Sequence, residues 1–168
     1  MMDSIWGADV QMPCFPQLDT DMHTDVLIIG GGLAGLLSAW NLTRAGVDCM
    51  LIEQNRIMGG VSGRTTAKLT AQHGLIYEKL LKKYGPEKAK LYWQANWDGV
   101  TALGKLAQSA DCDFQLQSSY LYATDSTKKL EAEMAACEQL GIPVRWESTL
   151  QLPFPVKGAL RMADQGQF

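Results

Sequence analysis

An apolar stretch interrupted by glycines, DVLIIGGGLAGLLSAW at 25–40, constrains the fold of this 168-residue chain more than any other feature. The 18 residues between Asp25 and Arg44 carry no charge, which is near the shortest length of a membrane-spanning helix. However, three glycines are adjacent at 30–32, and each disfavours a helix by about 1 kcal/mol relative to alanine. The stretch therefore predicts a strand that ends in a glycine turn, and no membrane partner.

The residues around the glycines have the pattern of a strand, a turn, a helix and a second strand. Residues 24–30 are rich in β-branched apolar side chains, as in a strand buried on both faces. Four apolar residues then follow the i, i+3, i+4, i+7 spacing of one helix face: Leu33, Leu36, Leu37 and Trp40. Gly46 suits the helix end, and residues 48–53 again read as a buried strand. This order predicts an α/β fold with a parallel sheet.

Three of the glycines, Gly30, Gly32 and Gly35, match the G-x-G-x-x-G pattern of dinucleotide-binding turns. In that pattern the first glycine permits the tight turn, the second admits a pyrophosphate to the backbone, and the third lets the helix pack closely on the sheet. We expect the amide groups at the helix start, including those of Leu33 and Ala34, to hold the phosphates. The sequence therefore predicts a Rossmann-like βαβ unit.

Glu53 ends the second strand, 18 residues after Gly35. A carboxylate at this place accepts hydrogen bonds from a ribose and repels a 2′-phosphate. The alternative is a glycine-rich turn that binds nothing, with Glu53 as a solvated strand end. That alternative leaves the spacing of the glycines unexplained, so we favour dinucleotide binding.

The segment after Glu53 bears on which dinucleotide is bound. QNRIMGGVSGRTTAKLT at 54–70 contains a second glycine pair, Gly59-Gly60, followed by small and hydroxyl residues. Such residues suit a stretch that lies along an extended cofactor. A Rossmann unit that binds a nicotinamide cofactor usually continues directly into its next helix and strand instead. An NAD-dependent dehydrogenase stays open as an alternative at this point.

In these motifs the sequence resembles FAD-dependent oxidoreductases of the D-amino acid oxidase and glycine oxidase family. The segments DVLIIGGGLAGLLSA, GGVSGRTTAKLTAQHGLIYEKL, DFQLQSSYLYAT and LPFPVKGALRMADQGQF are similar to one bacterial branch, in which a Rieske [2Fe–2S] domain often follows the flavoprotein. The resemblance covers nearly the whole chain. It implies FAD as the cofactor and hydride transfer to flavin from an amine or amino-acid substrate.

The resemblance also implies a set of cofactor-binding residues beyond the glycines and Glu53. They are Gln54, Gly60, Ser62, Arg64, Thr65, Thr66 and Ala67. Lys68 is a further candidate, although a structural or solvated lysine is the more common case. His23 and His73 lack a partner acid in the sequence, so no catalytic residue is assigned.

Members of this family are at least twice as long, so we expect this chain to be the N-terminal part of an enzyme and inactive alone. We predict an extension at 1–23, an FAD-binding portion with a helical insertion at 24–110, and the start of a substrate-side β-sheet domain at 111–168. Helices are expected over 74–85, from Pro86 to 110, and up to Leu140. Phe114 and Leu116 alternate with glutamines, which predicts a half-buried strand with both apolar side chains inward.

Composition excludes some other classes of function. The net charge of −3 with no basic block argues against nucleic acid as a partner. The four cysteines are scattered and form no metal-binding motif, which suits a reducing, cytoplasmic location and predicts no metal site. A non-catalytic dinucleotide-binding or interaction fragment stays open, and exposed apolar surface in such a fragment is expected to drive self-association.

Overall fold

The computed structural model describes residues 11–168, and within them the chain divides into two compact units, one ending at Thr66 and the other beginning at Ala67. The predicted domain boundaries at 23/24 and 110/111 stay predictions. The expected N-terminal extension at 1–23 lies partly outside the described residues.

The first unit is a βαβ arrangement. Strand β1 (Val26–Ile29) leads through the glycines into helix α1 (Leu33–Arg44), and strand β2 (Cys49–Ile52) pairs with β1 in parallel, Val26 opposite Cys49. A short 3₁₀ helix at Ser62–Arg64 follows. The predicted strand–turn–helix–strand order and the parallel pairing are thus confirmed.

The burial expected for these elements is wrong in part. Strand β1 was expected to be covered on both faces, but Leu27 is 52% exposed and Ile29 is 79% exposed. Helix α1 buries none of its residues, and both Leu33 and Trp40 of its apolar face are exposed. The physical reason is that two strands and one helix, within residues 11–66, offer too little surface to cover these side chains.

The second unit is an antiparallel sheet with helices on one face. Its strands are β3 (Lys68–Leu69), β4 (Gln115–Ala123), β5 (Arg145–Glu147) and β6 (Gly158–Gln167), and β6 pairs with the other three. Helix α2 spans Tyr77–Ala107 with a break at Gly85, whose φ is 78°, so the two predicted helices meet at Gly85-Pro86. Helix α3 (Lys128–Leu140) ends at Gly141, in the left-handed conformation.

The core of the second unit lies between the sheet and the helices. It contains Ala71, Tyr77, Ala89, Val100, Cys137, Leu140, Ile142 and Met162. Trp93 and Trp97 of α2 stack beside it with ring centroids 6.0 Å apart. The inward position expected for Leu116 is wrong, because this side chain is 59% exposed, and a register shift between Gln117 and Ser119 interrupts the alternation of β4.

Candidate functional site: a cleft at the glycine turn

The turn after β1 depends on two glycines for its shape. Gly30 has a φ of 110°, a conformation that side chains disfavour, and its amide continues the strand ladder by donating to the Ile52 carbonyl at 2.8 Å. A Cβ on Gly35 would collide with the Gly30 carbonyl oxygen. Helix α1 therefore begins directly against the end of β1, which is the close packing expected of the third glycine.

The start of helix α1 presents backbone donors. Gly32 is the N-cap residue and provides no capping side chain, and the first turn contains no acidic residue. The Leu33 amide donates to Ser62 Oγ at 3.0 Å. Within the part of the chain that the structure describes, the amides of Ala34 and Gly35 have no acceptor. Such donors, together with the helix dipole, favour an anion at this place.

Glu53 turns back from the end of β2 to the glycine turn. Its Oε2 accepts a hydrogen bond from the Gly31 amide at 2.8 Å, and its Oε1 accepts one from the Asn55 amide at 2.9 Å. These two hydrogen bonds hold the pKa of Glu53 below its usual value, and the bond from Gly31 lowers that pKa more than the bond from Asn55 does. The carboxylate is therefore charged at neutral pH and is fixed beside the glycines.

These groups border one cleft of about 480 Å³ within the first unit. It is lined by Gly31, Gly32, Glu53, Asn55, Arg56, Gly59, Gly60, Val61 and Ser62. The size is in the range of small-molecule sites in proteins. The cleft thus combines a carboxylate, a hydroxyl, a guanidinium-bearing residue and a glycine backbone.

The structure brings four of the predicted cofactor-binding residues to this cleft: Gly32, Glu53, Gly60 and Ser62. Gly30, Leu33, Ala34 and Gly35 form the turn and the helix start beside it. Gln54 is exposed in the loop after β2 and does not line the cleft.

The remaining predicted residues follow the 3₁₀ helix and lie outside the cleft lining. Arg64 ends that helix, and Thr65 and Thr66 are exposed. Ala67, with a φ of 53°, begins the second unit, where its carbonyl accepts a hydrogen bond from the Phe168 amide. Lys68 opens β3, and His73 Nδ1 lies 3.0 Å from the Tyr92 hydroxyl oxygen in the second unit.

Several lining residues were not predicted from the sequence: Gly31, Asn55, Arg56, Gly59 and Val61. Position alone could have indicated Asn55 and Arg56, because they directly follow the acid that ends β2. The loop conformation that brings Val61 to the cleft depends on Met58, whose φ is 56°. No sequence pattern signals such a backbone conformation in methionine.

The cleft fits the adenosine diphosphate part of a dinucleotide. A Cβ on Gly32 would meet only Ser62 Oγ, at 3.2 Å, so the backbone there is open to approach from the cleft. Amide and hydroxyl donors suit phosphate oxygens, and a carboxylate suits ribose hydroxyls. Across residues 11–168 no cluster of His, Cys, Asp and Glu could hold a metal ion, and no helix is long and apolar enough to cross a membrane.

A parallel βαβ unit with this turn and this terminal acid defines a dinucleotide-binding protein of the Rossmann-like class. A family model described as FAD dependent oxidoreductase matches residues 25–168. The chain belongs to this FAD-dependent family, which includes D-amino acid oxidase. The resemblance and the FAD cofactor that it implied are confirmed, and the family is not that of the NAD-dependent alternative.

Individual relatives agree with the family. The chain is 35% identical over 170 residues to a putative Rieske 2Fe-2S iron-sulfur protein, YhfW, of Bacillus subtilis, covering 99% of this chain and 33% of that protein. It is 30% identical over 103 residues to the gamma-glutamylputrescine oxidoreductase of Escherichia coli, and the match covers 60% of this chain and 24% of that protein. The chain thus spans about a third or less of these relatives.

A solved structure has the same fold. The L-amino acid deaminase from Proteus myxofaciens, solved in complex with anthranilate, matches 99% of this chain and 37% of its own chain, with a TM-score of 0.64 and 19% sequence identity. At this identity the likeness concerns the fold alone.

Proposed function

We propose that residues 25–66 bind the adenosine diphosphate part of FAD, with the pyrophosphate at the start of helix α1 and the adenosine ribose at Glu53. The observation that carries this proposal is the Glu53 carboxylate, fixed 2.8 Å from the Gly31 amide at the edge of a cleft that also contains Gly32 and Ser62. Ala34 and Gly35 supply amide donors to the phosphates. Arg64, Thr65, Thr66 and Ala67 remain proposed contacts to the rest of the cofactor.

We propose further that the whole protein oxidises an amine or amino acid. The names of the E. coli and Proteus relatives support this substrate class. A bound flavin would serve as the acceptor of a hydride from the carbon that bears the substrate nitrogen. A Rieske-type domain in the whole protein is supported by the name of the B. subtilis relative, and a cytoplasmic location by the scattered, unpaired cysteines.

Gly32→Ala tests the phosphate site. The added methyl group fits the folded chain after a small movement of Ser62, but it occupies the space through which a phosphate reaches the backbone. We expect the Kd for FAD, measured by flavin fluorescence titration, to rise about tenfold or more while the melting temperature of the chain changes little.

The matched control is Gly99→Ala. Gly99 is exposed on helix α2, nothing lies within 4 Å of an added Cβ, and its substitution should leave FAD affinity unchanged. Equal affinity of the wild type and Gly32→Ala would contradict the phosphate assignment. If NAD binds and FAD does not, the cofactor assignment fails for this chain.

A further inference from the structure

Helix α2 carries an excess of positive charge over its first half. From Tyr77 to Leu91 it has five lysines and two glutamates, a net charge of +3, whereas the whole chain carries −3. In the sequence these lysines are separated by other residues, so they form no basic block. All five are exposed in the folded chain, and we call them the lysine face: Lys79, Lys82, Lys83, Lys88 and Lys90.

Helical geometry turns the lysine face away from the core. Tyr77 and Ala89 are 1% and 0% exposed, and they hold the two segments of α2 on the core, on either side of the break at Gly85. At about 100° of rotation per residue, the three lysines of the first segment lie within about 60° of the side opposite Tyr77. The two lysines of the second segment flank Ala89 and leave the helix on its sides.

Most of this charge is not balanced within the second unit. Lys82 forms an ion pair with Glu78, one turn earlier in the helix. Within the described residues 11–168, the other four lysines of the face have no ion-pair partner. Lys79 and Lys83 are four residues apart, and like charges at this spacing destabilise a helix. A negatively charged partner would relieve this repulsion.

Two exposed apolar side chains accompany the lysines. Tyr84 is 49% exposed and Leu91 is 67% exposed, and each directly follows a lysine in the chain. Leu91 is also a neighbour of Lys88 on the helix surface, because the two are three residues apart. Apolar and aromatic side chains bordered by charged ones are typical of the surfaces through which proteins bind each other.

The composition of α2 favours a protein over a membrane or a nucleic acid. A helix that lies in a membrane surface turns its apolar side to the lipid, but the apolar side of α2 packs in the core of the second unit. Arginine binds phosphate through two parallel hydrogen bonds, and α2 contains no arginine. Glu87, among the lysines, would repel a phosphate backbone. Single carboxylates next to apolar side chains fit the lysine face better.

We propose that the lysine face, together with Tyr84 and Leu91, binds a protein that presents an acidic surface containing apolar side chains. The proposal concerns the second unit alone and is independent of the binding of FAD by the first. Complementary charges of this kind accelerate the encounter of two proteins and suit a transient complex.

Fluorescence anisotropy with two labelled peptides tests the proposal on the 168-residue chain without flavin. Both peptides carry the same number of glutamates, which are separated by leucines in one peptide and by serines in the other. We expect the leucine peptide to bind about threefold or more tightly than the serine peptide, and both to bind more weakly as sodium chloride is raised. Equal affinities would overturn the proposal, since the face would then recognise charge alone. Tighter binding of a DNA duplex with the same net charge would overturn it in favour of nucleic acid.

Substitutions assign the binding to the lysine face. The double substitution Lys79→Gln/Lys83→Gln removes two unpaired charges and their mutual repulsion, so the helix should persist while the Kd for the leucine peptide rises about fivefold or more. The matched control is Lys128→Gln/Lys129→Gln, which neutralises two exposed lysines at the start of helix α3 and should change the Kd by less than about twofold. Equal effects of the two pairs would overturn the proposal. An unaltered Kd in a Lys79→Gln/Lys83→Gln variant with a native circular dichroism spectrum would overturn it too.

Discussion

Glu53 has two roles in the folded chain, since the carboxylate that we assign to a ribose also fixes the glycine turn. Hydrogen bonds from the Gly31 and Asn55 amides stabilise its charged form and hold its pKa below the usual value of 4.5. A group whose pKa is lowered by folding contributes stability that is fully present above its unfolded pKa and is lost as pH falls through the folded pKa. The turn should therefore loosen in acid.

Glu53→Gln tests this effect. We expect the melting temperature of the variant to lie below that of the wild type by a constant amount above about pH 5, and the difference to shrink as pH falls below 4.5. Thermal melts followed by circular dichroism over this pH range provide the measurement. A difference that stays constant down to pH 3 would show that the carboxylate does not support the turn.

For individual residues whose role follows from the backbone alone, the spacing in the sequence was sufficient to predict that role. Gly30 and Gly35 could be assigned from the motif because a tight turn and a close helix approach exclude side chains. Val61 was not predicted as a lining residue, because its position depends on how the loop folds back. The second role of Glu53 was missed for the same reason.

Between elements, a buried acid joins the two helices of the second unit. Glu133 of helix α3 is 1% exposed, and it accepts hydrogen bonds from the amides of Ile76, Tyr77 and Glu78 at 2.8–2.9 Å. It thereby caps the start of helix α2 from another helix. A hydrophobic pattern assigns carboxylates to the solvent side of a helix, so the sequence could not reveal this contact.

Glu133→Ala should lower the free energy of unfolding by about 3 kcal/mol, because it leaves three buried or half-buried amides without their charged acceptor. Urea denaturation followed by circular dichroism measures this change. Glu138→Ala, an exposed acid on the same helix, is the matched control and should change the free energy by less than about 0.5 kcal/mol. Equal effects of the two substitutions would contradict the capping role.

At the scale of the whole molecule, the elements could be predicted from the sequence but their burial could not. Helical and strand periodicities arise from local chain geometry, and they gave β1, α1, β2 and the break at Gly85-Pro86 correctly. Burial depends on what covers an element. Leu27 and Ile29 of β1 and Leu33 and Trp40 of α1 stay exposed in the described part of the chain. The chain spans about a third of the B. subtilis relative.

This uncovered strand should cause the 168-residue chain to self-associate. Among residues 11–168, β1 pairs with β2 alone, so its other backbone edge is unpaired, and Leu27 and Ile29 expose apolar side chains on one face beside that edge. Such an edge is a template for pairing with another chain, and a lysine on it opposes pairing. We expect light scattering to show a mass that rises with concentration in the wild type and stays near the monomer mass of 18.5 kDa in Ile29→Lys.

Leu91→Lys, which replaces a 67% exposed leucine on helix α2, is the control for a general gain in solubility and should still associate. A wild-type chain that stays monomeric at all concentrations would contradict this prediction, and so would equal suppression by Leu91→Lys.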